Sequence, residues 1–423
     1  MKIAIISHWG DGLALGLRLL REGHQVRCYV KDALYAMQLD GAFIHNSTIA
    51  NIIRWKPDFA FADQTELANE MAGLKGAGIS TFGGTAFHTH LEHKRFESLD
   101  FAFQHNVPVP ATIGFKPGDE KKAMQLLAKE KQDYIIKFDK GDSASSFMAR
   151  NNDDIAHFLE QHPPKGPFIL QEKVDCAVEL NTEYWFSNGD FTGIAVGGLE
   201  QKKWLAGNLG QNVGCASNIS WVYKNVPKIG KKLFTPKLLE ALKKARYSGP
   251  LDMAAIIDKS GKPWFIEFTP RLGYSAVYDM QELLDSSLAY FFYHIATGKS
   301  MARSFNQEAF ACSIPVSIAP YPYEWPSHYI ADERIYADKP GVVEHFWPFD
   351  CKVLGNWEGY ATVGTSGLLG YVTASGDVPE AAVALAMSRV KSLEVSDLQY
   401  RIDAGSQADK LKVLDDLGYS PRP

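Results

Sequence analysis

The stretch 256–273, IIDKSGKPWFIEFTPRLG, decides how the centre of this chain folds. Two β-rich runs, Pro250–Asp258 and Pro263–Phe268, flank a short polar turn that contains a glycine, and this pattern predicts a hairpin. Glu267 interrupts the second apolar run. Such an acid usually faces solvent, but it also suits Mg²⁺, which prefers carboxylate oxygens and substrate phosphates. Asp252 on the partner strand can join it, so the hairpin carries a candidate metal site.

The first part of the chain alternates between strands and helices. Leu13–Arg21 has apolar residues at helical spacing, which predicts a helix after the first strand. The β-rich segments are Lys2–Ser7, Gln25–Val30, Pro57–Ala62 and Gly78–Phe82. Strands that alternate with helices indicate a parallel α/β sheet. Residues 1–92 are therefore predicted to form an N-terminal α/β domain.

A predicted long helix and the linker after it set the boundary between the other two predicted domains. Asp279–Thr297 is predicted to be one long amphipathic helix, and Gly298–Ser304 after it is a linker. This divides the chain into a central domain, 93–303, and a C-terminal domain, 304–423. Within the central domain, the glycine- and asparagine-rich segment Gly207–Asn218 is predicted to be an ordered loop.

Composition disfavours several classes of protein. A length of 423 residues exceeds one ordinary core and fits two or three domains. The net charge of −5 gives no overall attraction to nucleic acid or to anionic lipid. The five cysteines are scattered, and no apolar run approaches the roughly 18 residues that span a bilayer. With no signal peptide expected at MKIAIISHWGDG, we expect a reduced, cytoplasmic protein without nucleic-acid or membrane partners.

Lys137 is the first candidate for nucleotide chemistry. It lies in the β-rich segment YIIKFD, just before GDSASS at 141–146. A lysine in a buried strand needs a charged partner, and phosphate is a natural one. Small residues in the next loop let backbone N–H groups approach phosphates. Taken alone, an edge-strand lysine in water is the simpler interpretation.

Two glutamates follow at the end of the next apolar strand. Glu172 ends the run FILQE, and Glu179 comes seven residues later. A polar strand end can meet an adenine edge, and a second carboxylate can accept hydrogen bonds from ribose hydroxyls. Taken singly, both residues also fit the description of solvated surface acids.

The order of these motifs resembles one known family. TFGGTA at 81–86, a helix with Lys94, YIIKFD, FILQEKV, GQNVG at 210–214, the 256–273 hairpin and YRIDAG at 400–405 succeed one another. This order is similar to that of the phosphoribosylamine–glycine ligases of the ATP-grasp superfamily. The resemblance implies an α/β and α+β protein with an ATP-grasp fold. Its N-terminal domain would be a parallel α/β domain and its C-terminal domain α/β. The central domain would have two lobes, the smaller at about 108–180.

The resemblance also implies a role for each site residue. Residues that would contact phosphates or act in catalysis are Lys94, Lys137, Ser143, Ser145 and Arg271. Glu172 and the backbone of Lys173 and Val174 would hold the adenine, and Glu179 would hold the ribose hydroxyls. Asn212 would contact the nucleotide and, with Arg271, line the substrate side. The metal ligands would be Glu267, Thr269 and Asp252, holding Mg²⁺ or alternatively Mn²⁺.

The chain departs from the family pattern mainly on the substrate side. Thr269 replaces an asparagine in the metal segment, and the loop Trp9–Leu13 lacks the expected arginine and histidine. After Arg271-Leu272-Gly273 the chain continues with Tyr274-Ser275-Ala276, where the family has Asp-Pro-Glu, and the phosphate loop at 141–146 has no lysine. These departures predict a ligase of the same construction that acts on different partners.

The expected reaction is ADP-forming. ATP would phosphorylate a carboxylate, and an amine would then attack the acyl phosphate to form a C–N bond. The family suggests glycine or another amino acid as the carboxylate, and the enzyme would be a monomer or a homodimer. The first alternative is a true phosphoribosylamine–glycine ligase of purine biosynthesis. The second is a nucleotide-binding relative that has lost catalysis.

Two further patterns support weaker alternatives. Gly10, Gly12 and Gly16 follow a strand as in a dinucleotide fingerprint, but the third glycine is shifted by one position, and such glycines often serve helix packing. The run HTHLEH at 88–93 suggests zinc, but helical geometry would place His88 and His90 on different faces. An oxidoreductase and a zinc protein are therefore the less favoured interpretations.

Overall fold

The computed structural model describes residues 1–43, 47–138, 146–147, 149–300, 303–323, 331–337, 341–355 and 359–421, with the backbone alone at 146 and 147. Ser143 and Ser145, both predicted to contact phosphate, lie outside the described residues. Among the described residues, no helix combines the length and the apolar character that crossing a bilayer requires.

The N-terminal region is a parallel sheet with helices between its strands. Its elements are β1 (Lys2–Ser7), α1 (Leu15–Arg21), β2 (Gln25–Val30), α2 (Ile49–Trp55), β3 (Phe59–Ala62), α3 (Ala68–Gly76) and β4 (Thr81–Phe82). The strand order is β2-β1-β3-β4, and every neighbouring pair is parallel. The predicted parallel α/β sheet is confirmed.

A small antiparallel sheet follows two helices. The elements are α4 (Ala86–His93), α5 (Arg95–Gln104), β5 (Thr112–Phe115), α6 (Glu120–Leu127), β6 (Tyr134–Phe138), β7 (Ser146–Phe147), α7 (Asn152–Gln161) and β8 (Phe168–Glu172). The strand order is β5-β8-β6-β7. Ile136 and Leu170 point toward α6 and α7 and join their apolar residues in one core. Because side chains alternate along a strand, the neighbours Lys137 and Gln171 face the other way.

The centre of the molecule is a large antiparallel sheet. Its elements begin with β9 (Cys176–Ser187), β10 (Asp190–Leu205), β11 (Leu209–Val222), α8 (Lys228–Leu233), α9 (Pro236–Lys244), β12 (Gly249–Asp258), β13 (Pro263–Thr269), α10 (Ala276–Leu283), α11 (Leu288–Thr297) and β14 (Phe310–Ser317). The hairpin predicted from 256–273 is confirmed, because β12 and β13 pair antiparallel.

The C-terminal part completes that sheet and adds a smaller one. Its elements are β15 (Arg334–Ala337), β16 (Phe346–Pro348), β17 (Cys351–Leu354), β18 (Gly359–Thr362), β19 (Leu368–Gly376), α12 (Pro379–Val390), β20 (Leu393–Glu394) and α13 (Lys410–Asp416). The large sheet has the order β13-β12-β9-β10-β11-β14-β19-β16, and the smaller one β17-β18-β15-β20. Hydrogen-bonded strands thus lie on both sides of residue 303, and the domain boundaries at 92 and 303 stay predictions.

Two predicted elements have a different form. The loop predicted at Gly207–Asn218 is mostly part of β11, which pairs with β10 through two register shifts. These irregularities accommodate glycines that the sequence alone associates with a loop. The single helix predicted at Asp279–Thr297 is two helices, α10 and α11, because Ser287 caps a new helix start.

Glu22 at the end of α1 reinforces that second helix start. Its carboxylate accepts hydrogen bonds from Ser287 Oγ at 2.6 Å, Leu288 N at 2.8 Å and Ala289 N at 3.1 Å. Burial raises the pKa of Glu22, but these hydrogen bonds outweigh it and hold the pKa below its usual value. The carboxylate therefore caps α11 from a different part of the chain.

We predict that Glu22→Gln lowers the free energy of unfolding by about 1–2 kcal/mol at neutral pH, because the charged cap is lost. Since the folded-state pKa of Glu22 is depressed, its contribution is complete above the unfolded pKa and is lost as pH falls through the folded pKa. Urea unfolding at neutral and acidic pH measures both effects. Glu160→Gln, at an exposed position on α7, is the control; equal stability of the two variants would contradict the prediction.

Candidate active site

A cavity of about 550 Å³ lies between the small sheet and the large sheet. The small sheet contributes side chains from β6 and β8, and the large sheet from β9 to β13. The charged residues that line it are Arg95, Lys137, Glu172, Glu179, Glu183, Glu200, Lys202, Asp252, Glu267 and Arg271. This concentration of both signs of charge in one enclosed space marks it as the candidate active site.

Lys137 reaches the cavity from the small sheet. Its side chain is 9% exposed, and Nζ donates a hydrogen bond to Gln171 Oε1 at 2.8 Å. Burial and the nearby Arg95 lower the pKa of Lys137 to about 8, although Glu267 and Glu179 act in the opposite direction. A buried ammonium whose hydrogen-bond partner is a neutral amide is poorly compensated, so an anionic ligand would stabilise it.

The floor of the cavity is built by strand register. Alternate residues of β9 face the cavity, and each has a register partner on β12: Glu179 pairs with Ile256, Asn181 with Ala254, and Glu183 with Asp252. On the far side of β12, Ala254 pairs with Glu267, and Asp252 pairs with Thr269. Polar side chains therefore form successive rows across the sheet, at roughly 3.3 Å per residue along each strand.

Ion pairs lie along the exposed side of the cavity floor. Arg95 Nη2 lies 3.6 Å from Glu267 Oε2, and the Glu267 side chain is 48% exposed. Lys202 forms an ion pair with Glu200 on the same strand. Burial raises the pKa of Glu179 above its usual value. Both cations and carboxylates thus line the cavity, and the small sheet covers it.

The closed end of the cavity is acidic. Burial raises the pKa of Glu183 to about 7, although Trp185 Nε1 donates to Glu183 Oε1 at 2.6 Å. Burial and the neighbouring Glu183 raise the pKa of Asp252 well above its usual value. Arg271 lies on the same side and hydrogen-bonds Glu92 at 3.4 Å, with its guanidinium 4.1 Å from the Tyr274 ring centroid.

Comparison with known proteins identifies the fold of the chain. No protein-family model and no curated protein sequence matches the chain. Among solved structures, the phosphoribosylamine–glycine ligase of Thermotoga maritima is similar, with a TM-score of 0.75 and 17% identity over 96% of this chain and 100% of that one. The chain has the ATP-grasp fold.

Other ATP-grasp structures are similar over nearly the whole chain. The biotin carboxylase domain of the 2-oxoglutarate carboxylase of Hydrogenobacter thermophilus has a TM-score of 0.64 and 13% identity, covering 98% of each chain. The N5-carboxyaminoimidazole ribonucleotide synthetase of Thermotoga maritima has a TM-score of 0.60 and 14% identity, covering 93% of this chain and 99% of that one. The predicted fold class is therefore confirmed.

The ATP-grasp cavity brings together most of the residues that the sequence singled out. Those that line it are Lys137, Glu172, Val174, Glu179, Asn212, Asp252, Glu267, Thr269 and Arg271. Lys173 is not among the lining residues, and its side-chain amine donates to Arg150 O at 3.3 Å, away from the cavity. Lys94 is exposed at the junction of α4 and α5. The roles of these residues stay predictions.

Arg95 lines the cavity, whereas the sequence predicted this place for its neighbour Lys94. The one-residue difference arises because α4 ends at His93 and α5 starts at Arg95, so helical phase does not continue through Lys94. Glu183 was also missed. The signal was present in VELNTEYW at 178–185, where a polar residue at every second position predicts one polar face of a strand.

The weaker motifs have structural roles. A Cβ at Gly12 would come within 2.7 Å of Asp63, and one at Gly16 within 2.8 Å of Phe43, so both glycines allow close packing. The histidines of HTHLEH have separate partners: His88 stacks on Tyr247, His90 lies near Glu97, and His93 near Glu66. Within the described ranges, no group of three or more His, Cys, Asp or Glu residues is arranged to hold a metal.

We predict a pH-dependent difference in stability between the wild type and Lys137→Met. Because the pKa of Lys137 falls from 10.5 to about 8 on folding, the unfolded chain binds more protons between these values, and wild-type stability rises with pH there. The gain relative to the variant should reach about 3 kcal/mol by urea unfolding. The exposed Lys129→Met is the control and should follow the wild type; a constant difference for Lys137→Met would contradict the prediction.

Proposed function

We propose that this chain is an ATP-dependent carboxylate–amine ligase that forms ADP and works through an acyl phosphate. One observation carries the proposal: the ATP-grasp cavity places the buried ammonium of Lys137, the guanidinium of Arg95 and the carboxylate of Glu267 around a single space. Similar solved structures include a phosphoribosylamine–glycine ligase. A biotin carboxylase domain in complex with MgADP and bicarbonate is also among them.

The nucleotide would lie along the seam between the two sheets. Glu172 and Val174, at the end of β8, border the cavity where an adenine edge would meet them, and the backbone of Lys173 lies between them. Glu179 on β9 would accept hydrogen bonds from ribose hydroxyls. The phosphates would then extend toward Lys137 and Arg95, because both cations face the same cavity.

The hairpin would hold the metal ion. Glu267 and Thr269 are two positions apart on β13, so both face the cavity, and their oxygens are ligands of the kind that Mg²⁺ or Mn²⁺ accepts. A site with few protein carboxylates suits Mg²⁺, which keeps phosphate oxygens and water as its other ligands. Bound there, the ion would neutralise charge on the phosphates. Asp252, grouped with these residues by sequence, is the register partner of Thr269 on one side and of Glu183 on the other.

Positioning and charge neutralisation account for the chemistry. The carboxylate substrate would take the γ-phosphoryl group, and the amine would attack the carbonyl carbon and release phosphate. Arg271 at the closed end would orient the carboxylate substrate. No covalent nucleophile from the protein is required by this scheme.

The first loop supports an acceptor other than a phosphoribosyl amine. After β1, the buried carboxylate of Asp11 hydrogen-bonds Gln64, and Asp63 holds Ser7 and the backbone of Gly12. Burial raises the pKa of Asp11 to about 6 and that of Asp63 to about 7. A phosphate would be repelled by these acids when they are ionised, and it would find no cation in residues 9–13.

We predict that Lys137→Ala abolishes carboxylate-dependent ADP formation while the protein stays folded, since the variant loses the ammonium that faces the phosphates. ADP release would be measured with ATP, Mg²⁺ and a panel of carboxylates and amines. Lys129→Ala is the matched control at an exposed lysine and should keep wild-type activity. A fully active Lys137→Ala would refute the assigned role.

The same panel separates the alternatives. ADP release with phosphoribosylamine and glycine together would identify a phosphoribosylamine–glycine ligase. Tight ATP binding without ADP release across the panel would instead identify a nucleotide-binding protein without catalysis.

A further inference from the structure

Arg271 at the closed end of the cavity has two of its three guanidinium nitrogens bound to the protein. Nε donates to Glu92 Oε1 at 3.4 Å, and Nη1 donates to Leu272 O at 3.1 Å. Nη2 has no acceptor among the described residues. Because Arg271 lines the cavity and its side chain is 11% exposed, Nη2 is left for an acceptor that enters the cavity.

Stacking fixes the plane of this guanidinium. Its central carbon lies 4.1 Å from the centroid of the Tyr274 ring, which also lines the cavity. A Cβ at Gly214 would come within 2.9 Å of Tyr274 Cδ2, so the glycine leaves room for the ring. An arginine that stacks on a confined ring keeps its plane but can still turn within it. The hydrogen bond to Glu92 limits that rotation.

Glu92 is held in turn by Thr65. The Glu92 side chain is 12% exposed, and its Oε2 lies 3.0 Å from Thr65 Oγ1. Thr65 is fully buried, and Thr89 Oγ1 donates to its carbonyl oxygen at 2.6 Å. Glu92 thus has one carboxylate oxygen for the arginine and the other for a buried hydroxyl.

The neighbouring histidine leaves the hydroxyl hydrogen of Thr65 for Glu92. His93 Nε2 lies 2.9 Å from Glu66 Oε1 and 3.0 Å from Thr65 Oγ1. A ring nitrogen this close to a carboxylate oxygen carries a hydrogen, so His93 donates and Thr65 Oγ1 accepts. Of the two carboxylates within reach of the hydroxyl, Glu92 Oε2 at 3.0 Å is nearer than Glu66 Oε2 at 3.2 Å. Thr65 therefore donates to Glu92.

These contacts cross from one sheet to another. Thr65 follows β3 of the N-terminal sheet, Glu92 belongs to α4, and Arg271 follows β13 of the large sheet. Residues among the first 92 positions are thus joined by hydrogen bonds to a cation of the cavity. The N-terminal sheet therefore sets the direction of a side chain that belongs to the large sheet.

We propose that Glu92 is a positioning residue, which holds Arg271 so that Nη2 binds the carboxylate group of the carboxylate substrate. Arginine–carboxylate pairs depend on the direction of the planar guanidinium, and a guanidinium fixed in advance loses less freedom when the ligand binds. Glu92 does not line the cavity, so it acts through Arg271 rather than on the substrate. This inference rests on the proposed ligase function for the identity of the carboxylate as a substrate.

Charge and positioning predict opposite effects of losing Glu92. A negative side chain beside the site repels an anion, so removing the charge alone should strengthen carboxylate binding. Removing the acceptor frees the guanidinium to turn, so a ligand has to fix it on binding and binds more weakly. Glu92→Gln removes the charge and keeps an oxygen acceptor, whereas Glu92→Leu removes both.

The test is binding of sodium acetate to the full chain in the presence of MgADP, measured by ligand-observed NMR at constant ionic strength. Glu92→Leu should weaken acetate binding about tenfold, and Glu92→Gln should bind at least as tightly as the wild type. Thr65→Val keeps the charge of Glu92 but removes the hydroxyl that holds it, and should weaken binding about threefold. Arg271→Met should abolish binding, which locates the acetate.

The matched control is Glu97→Leu, at an exposed glutamate on α5, which should bind acetate as the wild type does. Equal binding by the wild type and Glu92→Leu would overturn the inference, and so would equal weakening in Glu92→Leu and Glu92→Gln. A wild type that does not bind acetate saturably would overturn it as well. If thermal unfolding shows that Glu92→Leu is not folded, Thr65→Val decides, and wild-type binding by that variant is then the contrary result.

ADP formation separates this inference from the proposed function. If a carboxylate of the panel yields ADP, Glu92→Leu should raise the KM for that carboxylate about tenfold and leave the KM for ATP unchanged. An unchanged carboxylate KM together with unchanged acetate binding means that the positioning role is wrong and the ligase proposal stands. If acetate binding changes as expected but no carboxylate yields ADP, the ligase proposal fails and the positioning role stands.

Discussion

The antiparallel pairing of β9 with β12 is the constraint on which the candidate site depends. It places Glu179, Asn181 and Glu183 in one line on the cavity face, opposite Ile256, Ala254 and Asp252. A slip of one residue would turn every one of these side chains to the opposite face of the sheet. The buried apolar neighbours Val178, Leu180 and Tyr184, which belong to the core on the other side, prevent that slip. Core packing and site geometry are thus set by the same register.

The small sheet contributes to the candidate site through the difference between its two faces. Its apolar face packs on α6 and α7, and its other face carries Lys137 and Gln171 toward the cavity. Burying an ammonium beside a neutral amide is unfavourable, and this burial lowers the pKa of Lys137. An anion bound beside Lys137 would offset part of the free energy that this burial costs.

Much of the fold and part of the site could be predicted from the sequence. The alternation of strands and helices predicted the N-terminal sheet, and the pattern around Gly261 predicted the hairpin that carries the metal candidate Glu267. Both predictions succeeded because local sequence patterns determine these elements. Arg95 was missed because a break between two helices changes which residue faces the cavity. Ser287 caps the second helix locally, but Glu22, more than 260 residues away, reinforces this cap, and no local pattern reports such a contact. YRIDAG at 400–405 supports the fold from outside the cavity, with buried Arg401 donating to Lys203 O at 2.6 Å.

The hydrogen bonds from α1 also decide which parts of the molecule can move. Besides the Glu22 cap, Arg18 donates to Gln281 O at 2.7 Å and to Leu284 O at 3.1 Å, at the end of α10. The N-terminal sheet is thereby fastened to the helices that cover the large sheet. The small sheet shares no strand pairing with the large sheet in the described part of the chain, and only the segments 105–111 and 173–175 connect it. Any motion of the small sheet relative to the large sheet would therefore bend the chain at those two connections.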